Sequence, residues 1–287
     1  MSEFVHLCCV SDRSIGHGLI KPSQLAAEYA KRGAVAAAIT DYGNMNASVQ
    51  LYKSCRDNGL RPIYGAILNL VDDKSVKTTG YTNLCLIAKS RVGFENLIKL
   101  TTIGSMYSYY VPRVDMKALS KYSDGLLLLT GGLKGLAAKQ IFSSSEAELG
   151  PLMDRMGPIY GDDIYLEIRD MPTESQRALN SKIFDYASAN NEKVVANGMP
   201  YYLSDSDSDL HKTLYQARNF RSGPSGYPLK GPSHLKSRQE MIDSLKSLHS
   251  GMHMDAINKA VAMSDSIVNR IEDFDLREGV KIPRYTG

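Results

Sequence analysis

Cysteine is scarce in this chain and poorly placed for its usual tasks. The four residues, Cys8, Cys9, Cys55 and Cys85, form no C-x-x-C pair and are too few to staple 287 residues with a disulfide framework. No apolar run reaches the 18 or so residues that span a bilayer. The opening MSEFVHL has neither the basic nor the apolar stretch of a secretory signal. These absences predict a cytoplasmic protein. An excess of one charge is missing too. The chain has 34 basic and 31 acidic residues, a net charge of +3 spread along its length, not the concentrated basic face of a nucleic-acid groove. What remains is an ordinary globular composition, 43% hydrophobic and 23% charged, long enough for one large α/β domain or two small ones.

Seven short β-rich runs recur: FVHLCCV (4–10), AVAAAIT (34–40), RPIYGAILNL (61–70), TNLCLIA (82–88), GLLLLTG (125–131), DIYLEIR (163–169) and EKVVAN (192–197). Most precede a helical pattern. The first helix, 22–33, has Pro22 at a first-turn position and stops at Gly33. Others follow at 46–58, 92–106 and 173–190, the last with Thr173 and Gln176 placed as a capping box. Alternation of this kind predicts a parallel sheet, and seven strands with few long gaps favour a barrel. From about residue 204 the character changes. SDSDSDLHKTLYQARNF reads as a capped helix, followed by a Gly/Pro-rich connector over 221–234 and helices near 237–248 and 253–270. We therefore expect a barrel core over 1–203 and a helical extension over 204–287 packed on it. SDSDSD lacks the glycine and later glutamate of a calcium loop, so an N-cap is its simpler reading.

In such barrels chemistry sits where strands end. The strand ends here offer Cys8 and Val10, then His17, Asp41 with Tyr42, Ala66 with Ile67, Asn83 with Cys85, Gly131 with Gly132, and Met199 with Tyr201. A hydrolytic metal centre needs several His, Asp and Glu to converge. This inventory is poor in them. A replacement zinc site from Cys8, Cys85 and His17 would have two thiolates and an imidazole but no evident fourth ligand, and core cysteines are the plainer reading. A nucleophile at Cys8 or Cys9 would need a base, for which only His17 is available. His211 reads as capping or packing its helix, and His234, His249 and His253 as surface residues. Lys230, Lys236 and Arg238 read as a solvated face rather than DNA contacts. The tyrosine-rich stretch 101–113 reads as a loop, with a partner surface as the alternative.

The order FVHL, SDRS, GLIKP, AITDYGNM, LRPIYG, LIAKSRVGFENLIKL, DGLLLLTGG, VVAN, DLH and HLKSRQEM resembles the PHP (polymerase and histidinol phosphatase) domain of bacterial DNA polymerase III alpha subunits. The likeness runs collinearly from Phe4 to about Tyr285, and IPRY resembles the segment that hands over to the polymerase palm. It implies a distorted TIM-like (β/α)7 barrel. In members with an intact centre, nine ligands hold metal ions for phosphoester hydrolysis. Carried over singly, the paired histidines of the first strand fall on Cys8 and Val10, and the acidic ligand of the next loop falls on His17. The TDHG histidine falls on Tyr42, beside the retained Asp41, and the GCE glutamate on Ile67. The histidine opening the fourth strand falls on Asn83, the next turn's ligand on Gly132, and the final Asp-x-His pair on Met199 and Tyr201. His6 is not a ligand position. Eight of the nine positions hold side chains that would not ligate in the family's manner, and His17 alone is left.

The resemblance therefore implies no catalytic residue and no metal cofactor. Members with degraded centres serve as a platform for a separate epsilon proofreading exonuclease and support the polymerase fold, so an epsilon-like partner is expected, with no specific nucleic-acid or membrane binding. The chain stops where the family's domain stops. It is expected to be either the head of a longer DNA-directed DNA polymerase or a free-standing, phage-type mimic that competes with the alpha subunit for its exonuclease. Without a palm these residues do not polymerise DNA. The rival, a metal-dependent phosphoesterase, is opposed by the ligand set.

Overall fold

A computed structural model describes residues 3–143, 148–218 and 231–277. Lys230, the IPRY segment and most of the 221–234 connector lie outside the described residues. Six strands, β1 (Ala36–Tyr42), β2 (Arg61–Leu70), β3 (Thr82–Ala88), β4 (Leu126–Leu129), β5 (Ile164–Ile168) and β6 (Val194–Ala196), form one curled sheet in that spatial order. Helices α1 (Pro22–Lys31) and α2 (Ser48–Asp57) flank β1. α3 (Arg91–Met106) and α4 (Met116–Lys121) join β3 to β4, and α5 (Leu136–Ser143) and α6 (Gly150–Tyr160) join β4 to β5. α7 (Glu174–Asn190) joins β5 to β6, and α8 (Ser208–Arg218), α9 (Arg238–Leu248) and α10 (Met254–Arg270) follow. None of the described helices is long and apolar enough to cross a membrane.

The sheet is not wholly parallel, as the alternation of strands and helices had predicted. β3 runs antiparallel to both β2 and β4, while β1–β2, β4–β5 and β5–β6 are parallel. The cause is local. Residues 71–81 contain no helix to carry the chain back across the sheet, so β3 returns beside β2 directly. This reversal places the start of β3 level with the end of β2, pairing Asn83 with Asn69 and Cys85 with Ile67.

The run 4–10 forms no laddered strand, yet it closes the ring. Cys9 accepts a bond from the Thr40 amide at 2.8 Å on one side, and the Val10 amide donates to Pro200 at 3.0 Å on the other. Side chains take the bonds a ladder would use: the His6 amide donates to the Tyr29 hydroxyl and the Cys8 amide to the Asn197 side chain. Period-two alternation then divides the central strands between two cores. Leu84, Leu86, Leu126 and Leu128 pack with Leu97 and Leu100 of α3. Cys85, Ile87, Leu127 and Leu129 pack with Leu7, Cys8, Ile67 and Tyr165. Burial on both faces is why these strands read as continuous apolar runs.

Several local expectations are corrected by tertiary contacts. Thr173 caps α7 by accepting from the Gln176 amide, but the Gln176 carboxamide donates to Asn180 instead of completing a box. A full box stands at α9, between Ser237 and Glu240. His249 is fully buried, edge-on to both Phe184 and His253, and His234 is half-buried between Asp205 and Glu240. Lys236 is buried against Asp170 at 3.0 Å, and Arg238 grips Asp265 through both carboxylate oxygens. Neither is a free surface charge. Within 101–113 the first six residues finish α3, and Arg113 pins the remaining loop by donating to the carbonyls of Lys74, Val76 and Tyr107.

His6 supplies a test of this packing. Its ring is completely buried, with Nε2 donating to the Lys236 carbonyl at 2.9 Å and Nδ1 without a described partner. Burial pushes its pKa down to about 3. The unfolded chain therefore binds a proton near pH 6.5 that the folded chain refuses. This stability is complete above pH 6.5 and is lost as pH falls towards 3. Between pH 7 and 5 the loss from His6 is expected to be roughly 2 kcal/mol. Urea unfolding over that window should show it, and His6→Gln, which keeps a donor for Lys236, should flatten the slope. An unchanged slope would refute the assignment.

Candidate functional site

The end of the barrel where Asn83 and the close of β2 lie side by side holds the strand-end residues. Alternation along the first run splits its two cysteines. Cys8 points inward and meets Cys85 of β3, with the two Sγ atoms 3.2 Å apart and both thiols free. Cys9 points outward, its Sγ donating to the His6 carbonyl. Burial pushes the Cys85 and Cys9 thiols well up, so both are held protonated. Val10 and Ile67 are core side chains in the same apolar cluster.

Tyrosines form the rim. The Tyr42 hydroxyl, at the end of β1, lies 2.9 Å from that of Tyr201. The His17 ring lies against Tyr42 at a tilt of 38°, with ring centroids 4.6 Å apart, and the Arg218 guanidinium lies 2.7 Å from either ring nitrogen. Burial, then the Arg218 charge, lowers the His17 pKa to about 4. His211 does pack its helix, and its Nε2 donates to the His17 carbonyl. Asp41 is buried against the turn that follows the first run. Its carboxylate accepts from the Ser11 amide at 2.9 Å and from the Ser11 and Ser14 hydroxyls at 2.7 Å each, which fixes the 11–14 turn. Burial nevertheless raises its pKa.

Between these groups lies a charge that the strand-end inventory missed. Arg169 extends from the end of β5 across Gly132, so closely that a Cβ on Gly132 would stand 2.7 Å from its Cδ and 2.9 Å from its Cζ. Its Nε donates to Glu167 at 2.6 Å, and its Nη1 lies 2.8 Å from the Met199 sulfur. Glu167 is fully buried and also accepts from the Gly131 amide at 3.2 Å. A signal was present in DIYLEIRD: Glu167 and Arg169 stand two apart on the inward face, where a buried strand should be apolar.

The nine strand-end positions thus separate into groups. Cys8, Val10 and Ile67 are interior core, while Tyr42, Gly132, Met199 and Tyr201 gather round Arg169. His17 lies against Tyr42 and under the Arg218 guanidinium. Asn83 donates to the Asn69 side chain at 2.7 Å. Cys8 and Cys85 come together, but the His17 ring is engaged elsewhere. Among the described residues no three His, Cys, Asp or Glu converge as a metal ion would require. Nor does the donor set fit a cluster of divalent cations: its inward carboxylate, Glu167, is already paired, and the pairing charge is itself a cation.

A family model for the PHP domain matches residues 6–171. The DNA polymerase III subunit alpha of Aquifex aeolicus is 30% identical over 224 residues, covering 74% of this chain and 19% of that protein. That of Borreliella burgdorferi is 27% identical over 262 residues, covering 86% and 22%. That of Campylobacter jejuni is 29% identical over 235 residues, covering 75% and 19%. The chain spans about a fifth of the length of these curated relatives. Among solved structures, an amidohydrolase from Chromobacterium violaceum aligns over 69% of this chain and 87% of its own, with a TM-score of 0.43 and 9% identity.

The Arg169–Glu167 pair makes a quantitative prediction. Arg169→Met strands a buried carboxylate and is expected to cost roughly 3–5 kcal/mol of unfolding free energy. Glu167→Gln combined with Arg169→Met should recover much of that loss in the same denaturation assay. A double variant as unstable as the single one would show that the pair is not what holds this end together.

Proposed function

The chain belongs to the PHP domain family, and on that premise we propose that it is a non-catalytic member, a structural and docking module of a replicative DNA polymerase in the cytoplasm that binds an epsilon-like proofreading exonuclease. The observation that carries this reading is the Arg169 guanidinium lying between Gly132 and Met199, two of the positions where the family's resemblance puts metal ligands. A divalent ion placed there would meet a fixed positive charge in a poorly solvated site, with no free carboxylate to offset it. At other such positions Val10 and Ile67 are buried hydrophobics, each contributing roughly 1.5–3 kcal/mol to folding. In this reading the old centre has become core.

The relatives are polymerase III alpha subunits, which supports a place in DNA replication. Residues 1–203 act as the barrel core and 204–287 as its extension. That division is supported by α10 lying against β6 and by Ser264 bonding the Val5 carbonyl. A platform needs a rigid body rather than a reactive centre, and a ring closed by side-chain bonds supplies one.

Two measurements test the proposal. The purified chain, titrated with the proofreading exonuclease of its replisome, should bind in the micromolar range or tighter and be displaced by added alpha subunit. No binding at tens of micromolar, about −6 kcal/mol, sinks the docking role. Incubated with Mn(II) or Zn(II) and bis-p-nitrophenyl phosphate, the chain should hydrolyse no faster than metal alone. Chain-dependent turnover would restore the metal-dependent phosphoesterase reading.

A further inference from the structure

We propose that the groove formed by Tyr52, Arg56, Tyr64, Arg91 and Phe94 is a recognition site for a peptide of the acid–aromatic–acid class. It is filled in cis by Asp273, Phe274 and Asp275, and a partner segment of the same chemistry can take their place. The groove lies where β2 begins and β3 ends: Arg61 bonds the Ile271 carbonyl and Lys89 the Glu272 amide. That is the end of the barrel opposite the mouth, and the site does not depend on the docking role proposed above.

The segment that follows α10 shows what the groove takes. Residues 272–277 form neither helix nor strand, and side chains of the barrel grip them. Arg56 donates to both Asp273 carboxylate oxygens, at 2.7 and 2.6 Å, and to the Phe274 carbonyl at 3.2 Å. The Tyr52 hydroxyl donates to the Asp275 carboxylate, which Arg277 of the segment also pairs, and Arg91 donates to the Asp275 carbonyl at 2.9 Å. Between the two acids the Phe274 ring packs on Tyr64 and Phe94, at centroid distances of 5.6 and 5.8 Å. A guanidinium fork for a carboxylate and an aromatic cleft for a ring are general devices for recognising short peptides.

Two observations make the occupant exchangeable. The first is how lightly it is tied down. Among the described residues, one amide of 272–277 bonds the main chain of the barrel, that of Glu272 to the Lys89 carbonyl at 2.8 Å. The Arg56 and Asp273 side chains are 35% and 48% exposed, where an ion pair is weak and screened by salt. The second is Tyr64. It is 2% exposed, its ring carries Phe274, and its hydroxyl has no partner among the described residues. The cis segment thus leaves a buried donor unmet, and a ligand with an acceptor at that place would bind better than the chain's own.

The test is a titration of the full chain with a fluorescein-labelled peptide of sequence IEDFDLR, that of residues 271–277. A chain carrying Asp273→Ala, Phe274→Ala and Asp275→Ala should bind it with a Kd of about 100 μM or below. The wild type should bind about tenfold more weakly, because its own segment competes at an effective concentration of about 1 mM. Arg56→Glu in the substituted chain, or alanine for the peptide's phenylalanine, should each weaken binding about tenfold or more. Equal binding to the two chains, binding indifferent to Arg56→Glu, or no saturation at millimolar peptide would overturn the site. A second measurement uses the wild type and needs no variant to fold. By nuclear magnetic resonance, the Glu272 amide should exchange with solvent about tenfold faster in 1 M sodium chloride than in 50 mM, while the amides of β2 and β3 keep their rates. Exchange of Glu272 in step with β2 and β3 would make the segment a fixed part of the barrel and overturn the proposal.

Discussion

The contact between the Arg169 guanidinium and the buried Glu167 carboxylate governs the functional end of this barrel. Neither charge would be tolerated there alone, because the surrounding strands present leucine, isoleucine and cysteine. Together they form a short ion pair that holds the Met199 sulfur and the Gly131 amide and lies across Gly132. Gly132 has to be glycine for the guanidinium to lie there, and Tyr42 and Tyr201 complete the rim beside it. An interior built this way is satisfied by its own charges. Its Asp41 carboxylate is spent on shaping a turn.

The second organising constraint is closure of the ring. A six-stranded sheet leaves two edges, and unpaired edges are a liability. The first run covers both with few main-chain bonds, relying on Tyr29 from α1 and Asn197 from beyond β6. The C-terminal helices reinforce the same stave from behind: Ser264 of α10 bonds Val5, and Lys236, just before α9, bonds the His6 ring. Residues more than 200 positions apart thus share one small hinge of structure. The helical extension is part of what keeps the barrel shut.

Much of this was legible in the sequence, and the exceptions have physical causes. Helices with Pro22 at the start or Thr173 as cap were readable because those signals are local. The strand runs were readable because β3 and β4 bury both faces. Direction was less accessible: β3 is reversed because 71–81 holds no crossover helix, a fact about what is absent between two strong signals. The run 4–10 looked like a strand because alternation survives there, but its amides bond to side chains far along the chain. His249 and Lys236 were misread as surface residues because their burial comes from helices that only meet in the folded state. At the candidate site, position followed from the resemblance, which scored each ligand place separately. Arg169 occupies none of those places, so no position-by-position comparison could find it.

A side chain at 132 and the Arg169 guanidinium would compete for the same space, and that has a consequence for how such a barrel can change over time. A Cβ introduced at 132 would crowd Arg169 at 2.7–2.9 Å and press it off its pairing with Glu167. Removing the guanidinium first strands Glu167 in an apolar interior. To build a metal-binding centre at this end, 132, 167 and 169 would have to change nearly at once, because each single step passes through a destabilised protein. The ion pair therefore ties the three positions into one unit of change.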